Sequence, residues 1–342
     1  MRVVAYSIKS FEKELLAKAN QKKHDITLIS NRLTLETSIY AKGKDAVVVF
    51  TNDDLSAPVI DKLAELGIKY IATRSVGTDH IDKDAAAKHD IKIANVPSYS
   101  PQAIAEYTVS LALALSRKLI PTVDQSRNFD FSIDQHMGFN FYGKTVGLIG
   151  LGHIGLATAE IFSGLGCHVL GYDVSYPENM GKIEPVELDT LLSVSDIISL
   201  HVPLNDATHH LINKTTISQM KKGVMLLNTS RGGLLKTDDV LTALENGRIG
   251  YLGLDVYEFE KNLFFYDHHN DTTKDKILER LMALKNVIIT PHQAFLTREA
   301  LHEIEAQTIL NLDRWQENQC AGEACACVKK CYLVSNEVVK VY

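Results

Sequence analysis

Cysteine is almost missing from the body of this chain. Cys167 stands alone before residue 320, and the remaining four, Cys320, Cys325, Cys327 and Cys331, crowd together near the end. A body with one cysteine is not built on disulfides and reads as belonging to a reducing compartment. Long apolar runs are lacking too. The longest, around Val109 to Leu115, is interrupted by Ser110, Ser116 and Arg117 and is too short to span a bilayer. Met1-Arg2-Val3-Val4 opens directly into a strand and leaves no room for a signal peptide. There is no surplus of positive charge: 36 basic against 42 acidic residues give a net charge of −6, which offers nucleic acid no basic surface. Solenoid repeats and low-complexity linkers are absent. These absences predict a cytoplasmic protein that contacts neither membrane nor nucleic acid and acts on a soluble metabolite.

What is present is an ordinary globular composition, 45% hydrophobic and 23% charged over 342 residues, enough for about two domains. Strand-like runs at 2–6, 26–30, 45–50, 69–72 and 91–94 alternate with helical stretches near 9–22, 56–66 and 82–88, which predicts a parallel sheet with helices on both faces. Pro101 to Lys118 reads as one long helix with Ser100 as N-cap, apolar on more than one face. A Phe/Tyr-rich connection over 128–143 leads into a second αβ series from 144 to about 290, and Leu301 to Trp315 reads as a final helix returning to the first domain. The expected domains are 1–100 with 298–342, and 101–297.

The most informative stretch is Lys144-Thr-Val-Gly-Leu-Ile-Gly-Leu-Gly-His-Ile-Gly155. A buried strand over Thr145 to Ile149 runs into Gly150-x-Gly152-x-x-Gly155, a helix follows, and a second strand ends at Asp173. Gly150 makes the tight turn, Gly152 lets backbone approach a pyrophosphate, and Gly155 lets helix pack on strand; the new helix aims its first N–H groups at phosphate. Asp173 stands where a carboxylate accepts hydrogen bonds from an adenosine ribose and repels the extra phosphate of NADP, so NAD is expected. About 140 residues precede the motif, which counts against the L-lactate and short-chain dehydrogenases that open with theirs. Zinc alcohol dehydrogenases need cysteine ligands that this chain lacks.

Further segments sit where strands of the second domain should end: His201-Val-Pro203, Asn228-Thr-Ser-Arg231-Gly-Gly233, Asp255-Val-Tyr-Glu-Phe-Glu260 and Thr290-Pro-His292-Gln. In an open parallel sheet those ends line the ligand crevice. Reduction of a 2-keto acid needs what they bring. The Arg231 guanidinium can hold a carboxylate or polarise a ketone, His292 can give the ketone oxygen its proton, and Glu260 can fix the tautomer of that imidazole.

These segments, with Arg74-Ser-Val-Gly-Thr-Asp-His-Ile-Asp82, Asn95-Val-Pro-Ser-Tyr-Ser-Pro-Gln-Ala-Ile-Ala-Glu106 and Pro291-His-Gln-Ala-Phe295, make the chain resemble the D-isomer-specific 2-hydroxyacid dehydrogenases from residue 1 to about 318. The resemblance implies an α/β fold of two doubly wound parallel-sheet domains, a Rossmann NAD-binding domain and a flavodoxin-like substrate domain, with a cleft between them. It implies NADH-dependent reduction of pyruvate to D-lactate, with Arg231 as substrate clamp, His292 as acid/base and Glu260 as its partner. Cofactor contacts are implied at His153, Ile154, Asp173, Val202, Pro203, Thr208, Thr229, Ser230 and Asp255, beside the three glycines. Backbone N–H groups of Val76 and Gly77 would hold the substrate carboxylate, with Tyr99 and Phe295 shaping the pocket. A homodimer or dimer-based tetramer is implied, the 101–118 helix lying near its interface. The alternatives are a related enzyme for a bulkier keto acid and a non-catalytic NAD-sensing protein on the same scaffold.

Two further features stay outside that resemblance. Asp267-His268-His269-Asn270-Asp271 and His209-His210 lack the spacing that puts two metal ligands on one helix face, and no metal is expected. The cysteine-rich end reads as a zinc knot, a redox switch, or a poorly ordered tail.

Overall fold

The computed structural model describes residues 1–261 and 263–328. The chain divides into two compact units, one of residues 1–100 with 296–342 and the other of residues 101–295.

The first unit is built on β1 (Arg2–Ala5), α1 (Glu12–Asn20), β2 (Asp25–Leu28), β3 (Ala46–Val49), α2 (Ala57–Glu65), β4 (Tyr70–Thr73), α3 (Lys83–Lys88) and β5 (Lys92–Ala94). All pairings are parallel, in the order β2-β1-β3-β4-β5, which is the flavodoxin-like order. β3 is buried at every position, which explains its unbroken Ala-Val-Val-Val composition. Successive residues feed opposite faces. Val4, Val47 and Ile71 enter a core under α2 and α3, whereas Val3, Val48 and Ala72 enter another that takes in Ile309, Leu312 and Trp315. Helix starts follow local chemistry: Asp82 accepts the Ala85 N–H at 2.9 Å to open α3, and Pro58 sits in the first turn of α2.

The second unit runs through α4 (Pro101–Ser116), α5 (Leu119–Arg127), β6 (Thr145–Ile149), α6 (His153–Gly164), β7 (His168–Tyr172), β8 (Glu184–Pro185), α7 (Leu188–Val194), β9 (Ile197–Leu200), α8 (Lys214–Gln219), β10 (Val224–Asn228), α9 (Thr237–Glu245), β11 (Ile249–Leu254), α10 (Lys276–Met282) and β12 (Val287–Ile289). Its seven strands are parallel in the order β12-β11-β10-β9-β6-β7-β8, so the strand order reverses between β6 and β9. That is the doubly wound dinucleotide-binding order. Val109, Ala112 and Leu115 of α4 pack with Val146, Leu148 and Met225 on one face of this sheet. The last α-helix among the described residues, α11 (Arg298–Gln316), belongs to the first unit and begins with Thr297 accepting the Ala300 N–H.

The helix expected over 101–118 runs from Pro101 to Ser116, and α5, which was not expected, follows it. Lys118 turns the chain with φ 50°, and the Ser116 carbonyl accepts the Phe139 N–H. The cysteine-rich end, read as poorly ordered among other options, is paired to β5 over residues 324–326 as far as the described residues reach, whereas Cys331 lies outside them.

Candidate active site

The glycine loop shows why each glycine is needed. Gly150 has φ 101°, and a Cβ there would lie 2.5 Å from the His201 carbonyl oxygen. A Cβ on Gly155 would lie 2.1 Å from the Gly150 oxygen, so that close helix–strand approach admits no side chain. Gly152 differs: nothing stands within 4 Å of its missing Cβ, and it is the N-cap of the twelve-residue α6. The loop is therefore bare where a phosphate would approach, and His153, Ile154 and Gly155 form the first helical turn with its forward-pointing N–H groups. Asp173 closes the loop from the end of β7, its Oδ2 accepting the Leu151 N–H at 2.6 Å and its Oδ1 the Ser175 N–H at 3.1 Å. These residues fit NAD.

Beyond β9, His201 is half-buried, and desolvation lowers its imidazole to about 4, so it is neutral. Val202 and Pro203 follow: the Val202 carbonyl accepts the Ser230 hydroxyl at 2.7 Å, and the Pro203 carbonyl accepts the Thr208 hydroxyl at 2.6 Å. Thr229 shares a hydrogen bond of 2.7 Å with Thr108 on α4. The predicted cofactor contacts of this strand end are thus knitted to one another.

The ends of β10, β11 and β12, which are neighbours in the sheet, carry Arg231, Glu260 and His292. His292 Nδ1 lies 2.8 Å from Glu260 Oε1, and Glu260 Oε2 accepts the Tyr257 N–H at 2.9 Å. The carboxylate is thereby fixed at both oxygens, and the imidazole is held through Nδ1, which leaves Nε2 for proton exchange. His292 itself has φ 54° and sits 15% exposed at its side chain. Arg231 donates from Nη1 to the Ser230 carbonyl at 2.8 Å, and Asn228 braces the turn by accepting the Ser230 N–H and donating to the Arg231 carbonyl. A Cβ on Gly232 would strike the Tyr257 carbonyl at 2.1–2.2 Å, so this turn lies directly against the segment that orients Glu260.

Asp255 is the least exposed member of the group. Its carboxylate accepts the Thr290 hydroxyl at 2.6 Å, the Gln293 N–H at 2.9 Å and the Ala294 N–H at 2.7 Å, while its own carbonyl takes the His292 N–H at 2.7 Å. Burial pushes its carboxyl upward. Expected as a cofactor contact, it also lashes the histidine loop to the end of β11. Sequence reasoning missed two supports. Tyr107 on α4 accepts the Gln293 amide at 2.7 Å, and Glu258 joins His210 at 2.7 Å to the Thr237 N–H at 2.9 Å. The alternation of glutamates at 258 and 260 was the available signal for the second.

Phe295 is buried at the end of the second unit, whereas Val76, Gly77 and Tyr99 belong to the first. In the 75–77 loop every carbonyl is consumed. Ser75 accepts from Val96 N–H, Val76 from the Asn95 amide at 2.7 Å, and Gly77 from the Ser75 hydroxyl at 2.7 Å. Behind it Arg74 is fully buried, donating to Glu12 and to the Tyr6 carbonyl. Among the described residues, no cluster of His, Cys, Asp or Glu could hold a metal ion, and no helix is long and apolar enough to cross a membrane.

Comparison with known proteins agrees with this geometry. Residues 109–294 match the family model of the D-isomer specific 2-hydroxyacid dehydrogenase NAD binding domain. The chain belongs to the D-isomer-specific 2-hydroxyacid dehydrogenases. It is 45% identical over 321 residues to a D-lactate dehydrogenase of Curvularia clavata, covering 92% of each chain, and 42% identical over 329 residues to the D-lactate dehydrogenase of Escherichia coli, covering 95% of this chain and 98% of that one. Among solved structures it is similar to the pyruvate reductase of Chlamydomonas reinhardtii, with a TM-score of 0.87 and 41% identity over 94% of this chain and 98% of that one. A member of this family is an NAD-dependent enzyme, and the two parallel-sheet domains are those of its relatives.

Proposed function

We propose that the enzyme is a D-lactate dehydrogenase that reduces pyruvate with NADH and runs in reverse when lactate is abundant. The observation that carries this reading is the Glu260–His292 pair, at 2.8 Å through Nδ1, beside Arg231 on the neighbouring strand ends. The names of the relatives, D-lactate dehydrogenase and pyruvate reductase, favour pyruvate within the family.

In the proposed reaction the second unit holds NAD and the first holds the keto acid. Val76 and Gly77 N–H groups bind the substrate carboxylate, since the loop's carbonyls are already taken. Arg231 brings paired donors that hold a carboxylate or polarise the ketone. When bound, the reduced nicotinamide supplies a hydride to the carbonyl carbon. His292 delivers a proton from Nε2 to the carbonyl oxygen, and takes it back in the oxidation direction. Glu260 keeps that ring in place throughout, while Tyr99 and Phe295 bound the pocket around the substrate methyl.

The proposed assembly is a homodimer or a dimer-based tetramer. Phe129, Phe131, Ile133, Met137 and Tyr142 are 71–87% exposed along the connection that follows α5, an apolar edge suited to burial against a second copy. The proposed setting is the cytoplasm, in keeping with the free thiols at Cys167, Cys320, Cys325 and Cys327.

The test is turnover of purified enzyme, followed as NADH loss, on pyruvate, phenylpyruvate, 2-ketoisocaproate and hydroxypyruvate. Pyruvate should give the highest kcat/KM. A bulkier acid in first place would move the substrate assignment, and no turnover of any would leave a binding protein. His292→Ala should abolish most turnover while sparing NADH binding.

A further inference from the structure

His292 is the pivot of the proposed reaction, and its bond to Glu260 does not fix the ring completely. That bond holds one ring atom, Nδ1, at 2.8 Å from the carboxylate. The outer torsion of a histidine side chain has broad, shallow minima, so the ring plane is only weakly set by the residue itself. Held at Nδ1 alone, the imidazole could swing about the line to Glu260 and carry Nε2 through an arc. A second contact is needed to set the plane.

Phe265 supplies it. Its ring centroid lies 5.8 Å from that of the imidazole, with the planes 35° apart, inside the range over which aromatic rings attract. The segment that carries it starts on Glu260 itself, whose carbonyl accepts the Leu263 N–H at 2.9 Å and the Phe264 N–H at 3.0 Å. Phe264 is buried in the core of the second unit, its ring 6.4 Å from that of Tyr257. The next residue, Phe265, has φ 72°, a conformation rare for a bulky side chain and kept only where the surroundings over-determine it. Tyr257 provides those surroundings. Its N–H donates to Glu260 Oε2 at 2.9 Å, its ring meets Phe264, and its hydroxyl donates to Asp275 Oδ2 at 3.0 Å. Asp275 in turn caps α10 by accepting the Ile277 and Leu278 N–H groups, both at 2.9 Å. The carboxylate and the aromatic ring that meet His292 are thus both hung on one tyrosine.

We propose that Phe265 is a positioning residue for proton transfer: it sets the plane of the imidazole that Glu260 holds at Nδ1, and so aims Nε2. The proposal rests on the reading of His292 as acid/base. It assigns Phe265 to the rate of proton delivery and return, and to the binding of neither keto acid nor NAD.

Single-turnover oxidation of NADH by pyruvate, followed by rapid mixing in H2O and in D2O, reads that step. Phe265→Ala should slow it by roughly ten- to hundredfold, the cost of a misplaced reacting group. The solvent isotope effect should grow, while the NADH dissociation constant and the pyruvate KM stay near their wild-type values. Phe265→Tyr keeps a ring on the imidazole and should recover most of the lost rate. Phe265→Leu keeps apolar bulk without the ring; it should fall between the other two, and it decides the matter if the alanine variant does not fold. A wild-type rate without the ring, a slow variant with an unchanged isotope effect, a tyrosine variant as slow as alanine, or loss of NADH affinity in step with the rate would each overturn the proposal. His292→Ala is measured beside them. If it keeps turnover, the acid/base reading itself fails; if it is inactive while Phe265→Ala is fast, only the role of Phe265 falls.

Discussion

Glu305 on α11 should make the enzyme less stable as the medium becomes alkaline. It is 1% exposed, neither carboxylate oxygen has a hydrogen-bond partner among the described residues, and burial raises its carboxyl from 4.5 to about 8. The neighbouring Arg74 guanidinium, bound to Glu12 and the Tyr6 carbonyl, opposes that rise, and the like charge of Glu12 adds to it. A carboxyl raised on folding is a group the native state prefers protonated. Its contribution is complete below the unfolded value near 4.5 and is lost as pH rises through about 8. Each unit of that interval is worth about 1.4 kcal/mol, so the loss between pH 5 and 7.5 is roughly 3 kcal/mol. Glu305→Gln keeps the shape and removes the titration. The assay is thermal unfolding of both proteins from pH 5 to 9. The difference in Tm, variant minus wild type, should climb by several degrees across that range and level off above pH 8, at roughly 2–4 °C per kcal/mol. Subtracting the two curves cancels every other titrating group. A flat difference would refute the reasoning, for it would mean that the carboxyl finds solvent or a partner in the folded chain.

Other outcomes follow from the site. Asp173→Ser should weaken NADH binding by roughly ten- to hundredfold, the worth of one charged hydrogen bond, and narrow the gap to NADPH in fluorescence titrations; unchanged discrimination would remove Asp173 from the ribose. Arg231→Lys keeps the charge but loses the fork of donors, so kcat should fall and the pyruvate KM rise with NADH affinity intact; near-normal kinetics would end the clamp role. Gly232→Ala places a methyl on the Tyr257 carbonyl and should cost turnover even if folding survives, since the strain falls on the segment that orients Glu260; wild-type kcat would show that this turn tolerates displacement.

The glycine loop and strand-end residues were legible because their signals are local: a buried strand, a fixed glycine spacing, and polar residues immediately after apolar runs. Bonds that cross long stretches of chain were not. Nothing near Glu12 announces that it pairs with Arg74, 62 positions away, and nothing near Ala324 announces the edge of β5. The end of α4 was read to within two residues, at Lys118, but α5 beyond it was not. The left-handed turn at Lys118 comes with the return of the chain at Phe139, whose N–H meets the Ser116 carbonyl. Pro121 lies in the first turn of α5, where proline is tolerated.

The tie between Asp255 and the 290–294 loop also says when the histidine finds its place. His292 occupies a left-handed backbone conformation that costs about 1–2 kcal/mol for a residue with a side chain. One buried carboxylate collecting three donors from Thr290, Gln293 and Ala294 offsets that cost. These donors follow directly on β12, which pairs with β11 in register. In the proposed reaction, the entropy of fixing the proton donor is therefore lost once, during folding, and not again in each catalytic cycle. Substrate would then arrive at an imidazole already aimed, with its binding energy free for orienting the ketone.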